Sequence, residues 1–324
     1  MRPPPISVLR ALLLFALALP GALLAQNYPT KPIRLVVGFT PGGGVDINAR
    51  LLAAKLTEYL GQPVIVDNRP GAGTNIANEF VAKAAPDGYT LLMSTATVAI
   101  NMALYKKLNY DTLRDFAAVS LFSASPNVLV VNAAVPVTSV AQLVALARER
   151  PGALNYSSAG SGTTQHLSGE LFKTRTGTDV VHVPYKGSAP ALTALIAANV
   201  ELSFANIPAI HQHVKSGRLR PLASTGPKRS ELMPDVPTMK EAGVDMEVVV
   251  WYGVLAPAAT PPEIVNKLAD LIARAAHAAD VRQRLLEQGA EPVGNTPDEF
   301  SRQLRAEVAT WAEVVKSSGA KADE

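Results

Sequence analysis

The chain of 324 residues contains no cysteine. Disulfide bonds, cysteine-ligated zinc sites and thiol nucleophiles are therefore excluded, and so is the lipid-modified cysteine of a lipoprotein. Charge is also scarce, because only 18% of the residues are charged and 30 basic residues nearly balance 27 acidic ones. No run of basic residues interleaves with aromatic ones, so the composition indicates no nucleic-acid partner.

Several motifs of enzymes and cofactor sites are missing. No Gly-Lys-Ser/Thr follows a glycine loop, which excludes a P-loop. The segment 158–162 is not Gly-x-Ser-x-Gly, so it lacks a nucleophile elbow. His211 and His213 are two residues apart, a spacing that points their rings in different directions on a helix. We expect no catalytic residue, no metal and no cofactor, although a distant acidic partner for His166 would leave a secreted hydrolase as an alternative.

Residues 1–25 have the layout of a cleavable secretory signal peptide. Residues 1–10 include Arg2 and Arg10 and no acidic residue. An apolar run, 11–19, follows and is broken by Pro20, and the segment ends at a small residue, Ala25. A membrane-spanning helix needs about 20 apolar residues, which neither this run nor any later segment provides. The sequence therefore predicts export to the periplasm of a Gram-negative bacterium, without a direct membrane anchor.

Apolar strands alternate with helical segments along the rest of the chain. The first strand, 33–38, precedes a helix, 46–60, which is expected to end at the C-cap residue Gly61. Further strands are predicted at 64–67, 90–95, 128–131, 154–157, 180–183, 200–204, 219–224 and 248–255. Further helices are predicted at 74–84, 139–150, 163–176, 189–198, 208–216, 261–278, 280–288 and 297–316. Such alternation is typical of an α/β protein with mixed or parallel sheets flanked by helices.

Roughly 300 residues after the leader exceed the usual ~100–200 of one domain. The late strand and the long C-terminal helices have no sheet of their own, which favours their return to the first lobe. We therefore predict two lobes and two crossovers, near 125–128 and 247–251. Lobe 1 comprises 26–126 and 249–324, and lobe 2 comprises 127–248.

Three loops that follow predicted strands are rich in glycine and hydroxyl residues. The loop 39–46 places three glycines before a helix, and the loop 157–166 carries five hydroxyl residues at the start of another. Glycine lets the backbone approach a ligand, and a helix N-terminus favours an anion. The third loop, 68–75, lacks the last glycine of a dinucleotide fingerprint, so NAD is not expected.

Read together and in order, these segments resemble the tripartite tricarboxylate transporter receptors, the TctC or Bug family. The resemblance extends from Tyr28 to about Gly319. It is carried by the stretches 28–33, 39–46, 66–73, 86–92, 110–116, 183–187, 219–223, 229–238 and 251–257.

The resemblance implies the type II periplasmic-binding-protein fold, which binds a small carboxylate between its two lobes. It also implies delivery to membrane transporter subunits similar to TctA and TctB. The loops 39–46 and 157–164 would hold one carboxylate, while Thr95, Thr97, Tyr185 and Asn206 would shape the far end of the ligand. Ala205 stands where members often have Asp, which favours a ligand without an amino group. The predicted binding residues are Phe39, Pro41, Gly42, Gly43, Gly44, Asp46, Gly73, Thr95, Thr97, Ser158, Gly160, Ser161, Gly162, Thr163, Thr164, Tyr185 and Asn206.

We therefore expect a monomeric periplasmic solute receptor that performs no chemistry. A ligand-sensing partner of a membrane kinase is the main alternative, because transport and sensing use the same closed lobes. The sequence does not identify the ligand.

Overall fold

A computed structural model describes residues 28–318 together with 320 and 322. The predicted signal peptide lies outside these residues. The strands, in chain order, are β1 (Ile33–Val37), β2 (Val64–Asn68), β3 (Thr90–Ser94), β4 (Phe116–Asn132), β5 (Leu154–Ser158), β6 (Val180–Pro184), β7 (Leu202–Asn206), β8 (Leu219–Ser224), β9 (Val249–Pro257) and β10 (Glu291–Pro292). No helix in the described part of the chain is long and apolar enough to cross a membrane.

The helices alternate with these strands, as predicted. They are α1 (Gly44–Leu60), α2 (Asn75–Ala82), α3 (Thr97–Leu104), α4 (Val140–Glu149), α5 (Thr164–Thr176), α6 (Ser188–Ile196), α7 (Ile207–Lys215), α8 (Pro262–His277), α9 (Ala279–Glu287) and α10 (Pro297–Ser318). Helix α1 ends where Gly61 adopts a left-handed conformation (φ 65°) and its N–H donates to Thr57 O, as expected for glycine after a helix.

Two mixed sheets share the long strand β4. In the first sheet, β2, β1 and β3 are parallel, and β9 lies antiparallel between β3 and β4. In the second sheet, β6, β5 and β7 are parallel, and β7 and β8 pair with β4 in antiparallel fashion. The predicted α/β class with mixed sheets and flanking helices is confirmed.

The first sheet is buried on both faces, as its apolar strands predict. Leu35 packs with residues of α1 and α8, whereas its neighbour Val36 packs with residues of α2 and α3 on the opposite face. Helix α10 contacts α3 and β4, and it also contacts α5, which packs against the second sheet. The C-terminal helix therefore contacts both halves of the molecule.

Strand β4 changes partners at the point where the two halves meet. Residues up to Pro126 pair with β9, and residues from Asn127 onward pair with β7. Thr225 joins this point to the returning chain, because its hydroxyl accepts from Asn127 N (3.0 Å) and donates to Val248 O (2.6 Å). The two crossing segments are thus connected by one buried side chain.

A carboxylate connects α10 to β9. Glu307 accepts hydrogen bonds from Trp251 Nε1 (2.7 Å), Trp311 Nε1 (2.8 Å) and Gln303 Nε2 (3.3 Å). Burial raises the pKa of Glu307, because the carboxylate loses water, while the three N–H donors act in the opposite direction. The helix is therefore held by a polar contact on an otherwise apolar surface.

Replacing Glu307 is predicted to destabilise the fold. Glu307→Leu leaves two indole N–H groups without an acceptor, and each orphaned buried donor costs about 1–3 kcal/mol. Glu307→Gln keeps one acceptor and should cost less.

Because the pKa of Glu307 is higher in the folded chain, the stability that wild type gains from it is greatest in acid and declines as the pH rises through the folded-state pKa. The deficit of the Gln variant should therefore shrink toward neutral pH. Urea unfolding measures both effects, and a Leu variant as stable as wild type would contradict them.

Candidate ligand-binding site

A cavity of about 510 Å³, including its opening to solvent, lies between the two halves. Most of it is formed by loops at the carboxyl ends of strands, where ligands bind in open α/β sheets. The first half contributes Phe39, Thr40, Gly43, Gly44, Val45, Thr95, Thr97, Val250 and Tyr252. The second half contributes Ala159, Thr163, Thr164, Gln165, Gly187, Ser188 and Asn206.

The two halves approach each other closely beside this cavity. A Cβ atom placed on Gly187 would lie 3.1 Å from Thr40 Oγ1, across the cleft. A Cβ atom placed on Gly162 would lie 2.8 Å from Asn101 Oδ1. Side chains of the first half therefore lie close to glycines of the second half across the cleft.

Helices from both halves begin at the cavity wall. The first N–H groups of a helix have no partner within the helix, and the helix dipole places partial positive charge there. Helix α1 begins after Gly43 and α6 begins after Gly187, and neither has a side-chain cap. Helix α5 has one, because Thr163 Oγ1 accepts from His166 N, which leaves the first two amides of that helix uncapped. The cavity wall therefore carries main-chain donors from both sides.

Among the described residues that line the cavity, none carries a charged side chain. The nearby Asp46 is occupied elsewhere, since it accepts from Gly42 N, Arg50 Nε and Asn68 Nδ2, each at 2.9 Å. Burial acts to raise the pKa of Asp46, but these hydrogen bonds and the charge of Arg50 outweigh it and lower the pKa. An anion in the cavity would thus meet dipoles and no carboxylate.

Part of the predicted set lines the cavity. These residues are Phe39, Gly43, Gly44, Thr95, Thr97, Thr163, Thr164 and Asn206. The structure places the other predicted residues outside the lining: Pro41, Gly42, Asp46, Gly73, Ser158, Gly160, Ser161, Gly162 and Tyr185.

Several of the residues outside the lining shape its loops. Asp46 binds the amide of Gly42, and a Cβ on Gly73 would clash with the hydroxyl of Tyr105. Gly160 and Gly162 have φ values of 126° and 79°, which other residues rarely adopt. Ala205 does not line the cavity and packs in an apolar cluster with Val128.

Sequence reasoning did not identify half of the lining. Thr40, Val45, Ala159 and Gln165 lie within the loops that were singled out, whereas Gly187 and Ser188 repeat the pattern of a strand, a glycine and a helix start. Val250 and Tyr252 carry no such signal, because they are interior residues of β9. Tyr252 is buried and lines the cavity.

The sequence and the fold of the chain are similar to those of known proteins. The sequence model of the tripartite tricarboxylate transporter family receptor matches residues 48–320. Protein BugT of Bordetella pertussis is 41% identical over 300 residues, which are 92% of each chain. A solved structure of an R. palustris protein with adipate has 43% identity and a TM-score of 0.86, covering 91% of this chain and 100% of that one. MatC of Rhodopseudomonas palustris with bound malate has 32% identity and a TM-score of 0.83, covering 89% and 100%.

Adjacent glycines at the start of α1 allow a matched test of this wall. A Cβ on Gly44 would lie 2.8 Å from the hydroxyl of buried Tyr252, whereas a Cβ on Gly43 has only Thr40 O, at 3.8 Å. Gly44→Ala should therefore destabilise the protein by about 1–2 kcal/mol through overpacking, and Gly43→Ala should change stability by less than about 0.5 kcal/mol. Thermal unfolding without ligand measures both.

The variant Tyr252→Phe supplies the control. It removes the hydroxyl that the new methyl group would strike, so Gly44→Ala should cost less in that background. Equal stability of the two alanine variants would show that Tyr252 does not restrict the helix start.

Proposed function

The chain belongs to the tripartite tricarboxylate transporter receptor family, and from that premise we propose that it is a periplasmic receptor for a small organic carboxylate. It binds the ligand between its two lobes and delivers it to a tripartite tricarboxylate-type membrane transporter. The family and the fold are those of substrate-binding receptors, and the proposal includes that the protein performs no chemistry on its ligand.

One observation supports the proposal most strongly. Uncapped helix starts from both halves, at Gly44 and Ser188, line one cavity whose described lining contains no charged side chain. Anions bind readily at helix N-termini, because free N–H groups and the dipole act together. A cation would find neither a carboxylate nor a cluster of carbonyl groups at these helix starts.

Hydrogen bonds can supply the binding free energy of the ligand without a charged side chain. A micromolar ligand requires about 8 kcal/mol of binding free energy. A hydrogen bond to a charged group contributes about 1.5–3 kcal/mol. Four to six such bonds, shared between the lobes, would reach this value after the cost of closure.

The ligand class follows from the lining. The described lining residues include no Asp or Glu, so the ammonium group of an amino acid would have no ionic partner. Apolar side chains of Phe39, Val45 and Val250 would contact a carbon chain. The related R. palustris structures contain adipate and malate, which supports a dicarboxylate without an amino group.

The lobe boundaries are part of the proposal. Lobe 1 comprises 26–126 and 249–324, and lobe 2 comprises 127–248. The change of β4 partners between Pro126 and Asn127 and the start of β9 at Val249 support these limits. Closure would then be a rotation about two adjacent segments, with Thr225 between them.

The route to the periplasm and the partners are also proposed. Residues 1–25 would direct export as a cleaved signal peptide, and the mature protein would act as a monomer. TctA-like and TctB-like subunits would receive the closed, liganded form. Co-purification with these subunits, and not with a membrane kinase, distinguishes transport from sensing.

A thermal-shift screen tests the function directly. Dicarboxylates, tricarboxylates, aromatic acids, nicotinate-like acids and amino acids are compared, and a dicarboxylate is expected to raise the Tm most. Ligand at one hundred times its Kd should add about 2.7 kcal/mol of stability. The neutral diamide of the same acid is the matched control and should give no shift. A diamide that stabilises as well as its acid would contradict an anion site.

Closure can be tested at Gly187. Gly187→Ala places a methyl group 3.1 Å from Thr40 Oγ1, so it should hinder closure and weaken adipate binding about tenfold in calorimetry. Gly217→Ala is the control, because Gly217 also has a positive φ of 72° but no atom lies within 4 Å of its Cβ. Adding Thr40→Ala to Gly187→Ala should restore part of the affinity. If both glycine variants bind like wild type, the contact does not limit closure.

A further inference from the structure

Three stacked rings lie behind the second-lobe loop of the cavity. The rings of His166 on α5 and His182 on β6 are parallel within 16°, with centroids 4.0 Å apart. The ring of Tyr156 on β5 also stacks with that of His182, at 4.9 Å and an interplanar angle of 30°. Tyr156 and His166 are buried, so the stack forms an interior support.

The loop 159–163 is bound by His166 directly and by His182 through Ser158, the residue before the loop. The N–H of Gly162 donates to His166 Nδ1 (3.1 Å). His182 Nε2 lies 2.6 Å from Ser158 Oγ, and that hydroxyl accepts from Gly160 N (3.1 Å). The loop is thus held at its start through Ser158 and near its end through Gly162.

This loop needs such support. Gly160 and Gly162 have positive φ values, and glycine has more conformational freedom to lose than any other residue. Ala159 and Thr163 of the same loop line the cavity, and α5 begins directly after it. Fixing the loop before the ligand arrives reduces the ordering cost of binding.

The charge state of the stack agrees with this task. His166 Nδ1 can accept from Gly162 only while it is unprotonated. Burial lowers the pKa of His182 to about 3, and electrostatic interactions with His166 and Lys173 act in the same direction. Lys173 is itself paired with Glu170 (3.1 Å), which also accepts from the Tyr156 hydroxyl (2.7 Å).

A catalytic role does not fit the contact between Ser158 and His182. Ser158 is completely buried and does not line the cavity, and its hydroxyl is already bound by Gly160 N. A substrate in the cavity therefore cannot reach this oxygen.

We propose that His166 and His182 are positioning residues, which hold the loop 159–163 in the conformation that presents its residues and the start of α5 to the ligand. The inference rests on the proposed function, because it concerns the same cavity. Neither imidazole touches the ligand; each acts through a main-chain or hydroxyl contact.

Pairs of variants separate the hydrogen bonds from the stacking. His182→Phe keeps an aromatic ring without Nε2, whereas His182→Gln keeps a polar atom near the Nε2 position. His166→Leu removes the acceptor, and His166→Asn keeps one near the Nδ1 position. Ser158→Ala removes the hydroxyl with little change in volume.

Calorimetric titration with adipate and malate is the first measurement. We expect His182→Phe, His166→Leu and Ser158→Ala each to weaken binding about tenfold. His182→Gln and His166→Asn should recover most of that affinity. The double variant Ser158→Ala/His182→Phe should lose no more than either single variant, since both break one contact. Affinities unchanged in the single variants, or losses that add in the double variant, would overturn the proposal. If a ring variant does not fold, the affinity of Ser158→Ala tests the proposal by itself.

A second measurement needs no ligand. Hydrogen exchange of the Gly162 amide should be slow in wild type and His166→Asn and fast in His166→Leu, whereas the amides of β1 should be unchanged. Equal exchange in all three would overturn the proposal. If wild type binds neither acid while the Gly162 amide behaves as expected, the proposed function fails and the positioning role stands.

Discussion

Main-chain N–H groups at helix starts provide the electrostatics of the cavity. Helices α1 and α6 begin on opposite sides of it without side-chain caps, and no charged side chain is found in the described lining. This arrangement explains the glycine at 44, because a side chain on Gly44 would meet Tyr252. It also explains the role of Asp46, whose charge is neutralised by Arg50 and two further donors outside the lining.

The proposed binding from two sides depends on how the two halves of the molecule are joined. Strand β4 continues through both sheets, and Thr225 connects its crossing point to the returning chain at Val248. Helix α10 contacts elements of both lobes and is held to β9 through Glu307. The two halves also approach each other across the cleft at Gly187 and Gly162.

The sequence predicted what local patterns determine. Apolar strands and Gly61 as a helix end are observed. The helix predicted from 139 begins at Val140, and Ser139 caps it by accepting from Gln142 N. The first half of β4 was missed because Phe116–Pro126 is rich in Ala and Ser, which have low β-propensity; its pairing with β9 and β10 supplies the stability. Helix α3 was missed because Thr97, Val98 and Ile100 are β-branched and favour helices only weakly. Within the site, loops after strands could be identified from glycine, whereas the contribution of Tyr252 depends on how β9 crosses between lobes.

Backbone amide chemical shifts during a titration with adipate test most directly whether amides of both lobes hold the ligand. The amide protons of Gly44 and Val45 from one lobe, and of Ser188 and Ala189 from the other, should shift downfield together and saturate at one Kd. If only the amides of one lobe shift, or if the shifting amides lie next to charged side chains remote from the cavity, the ligand is not held by opposed helix starts.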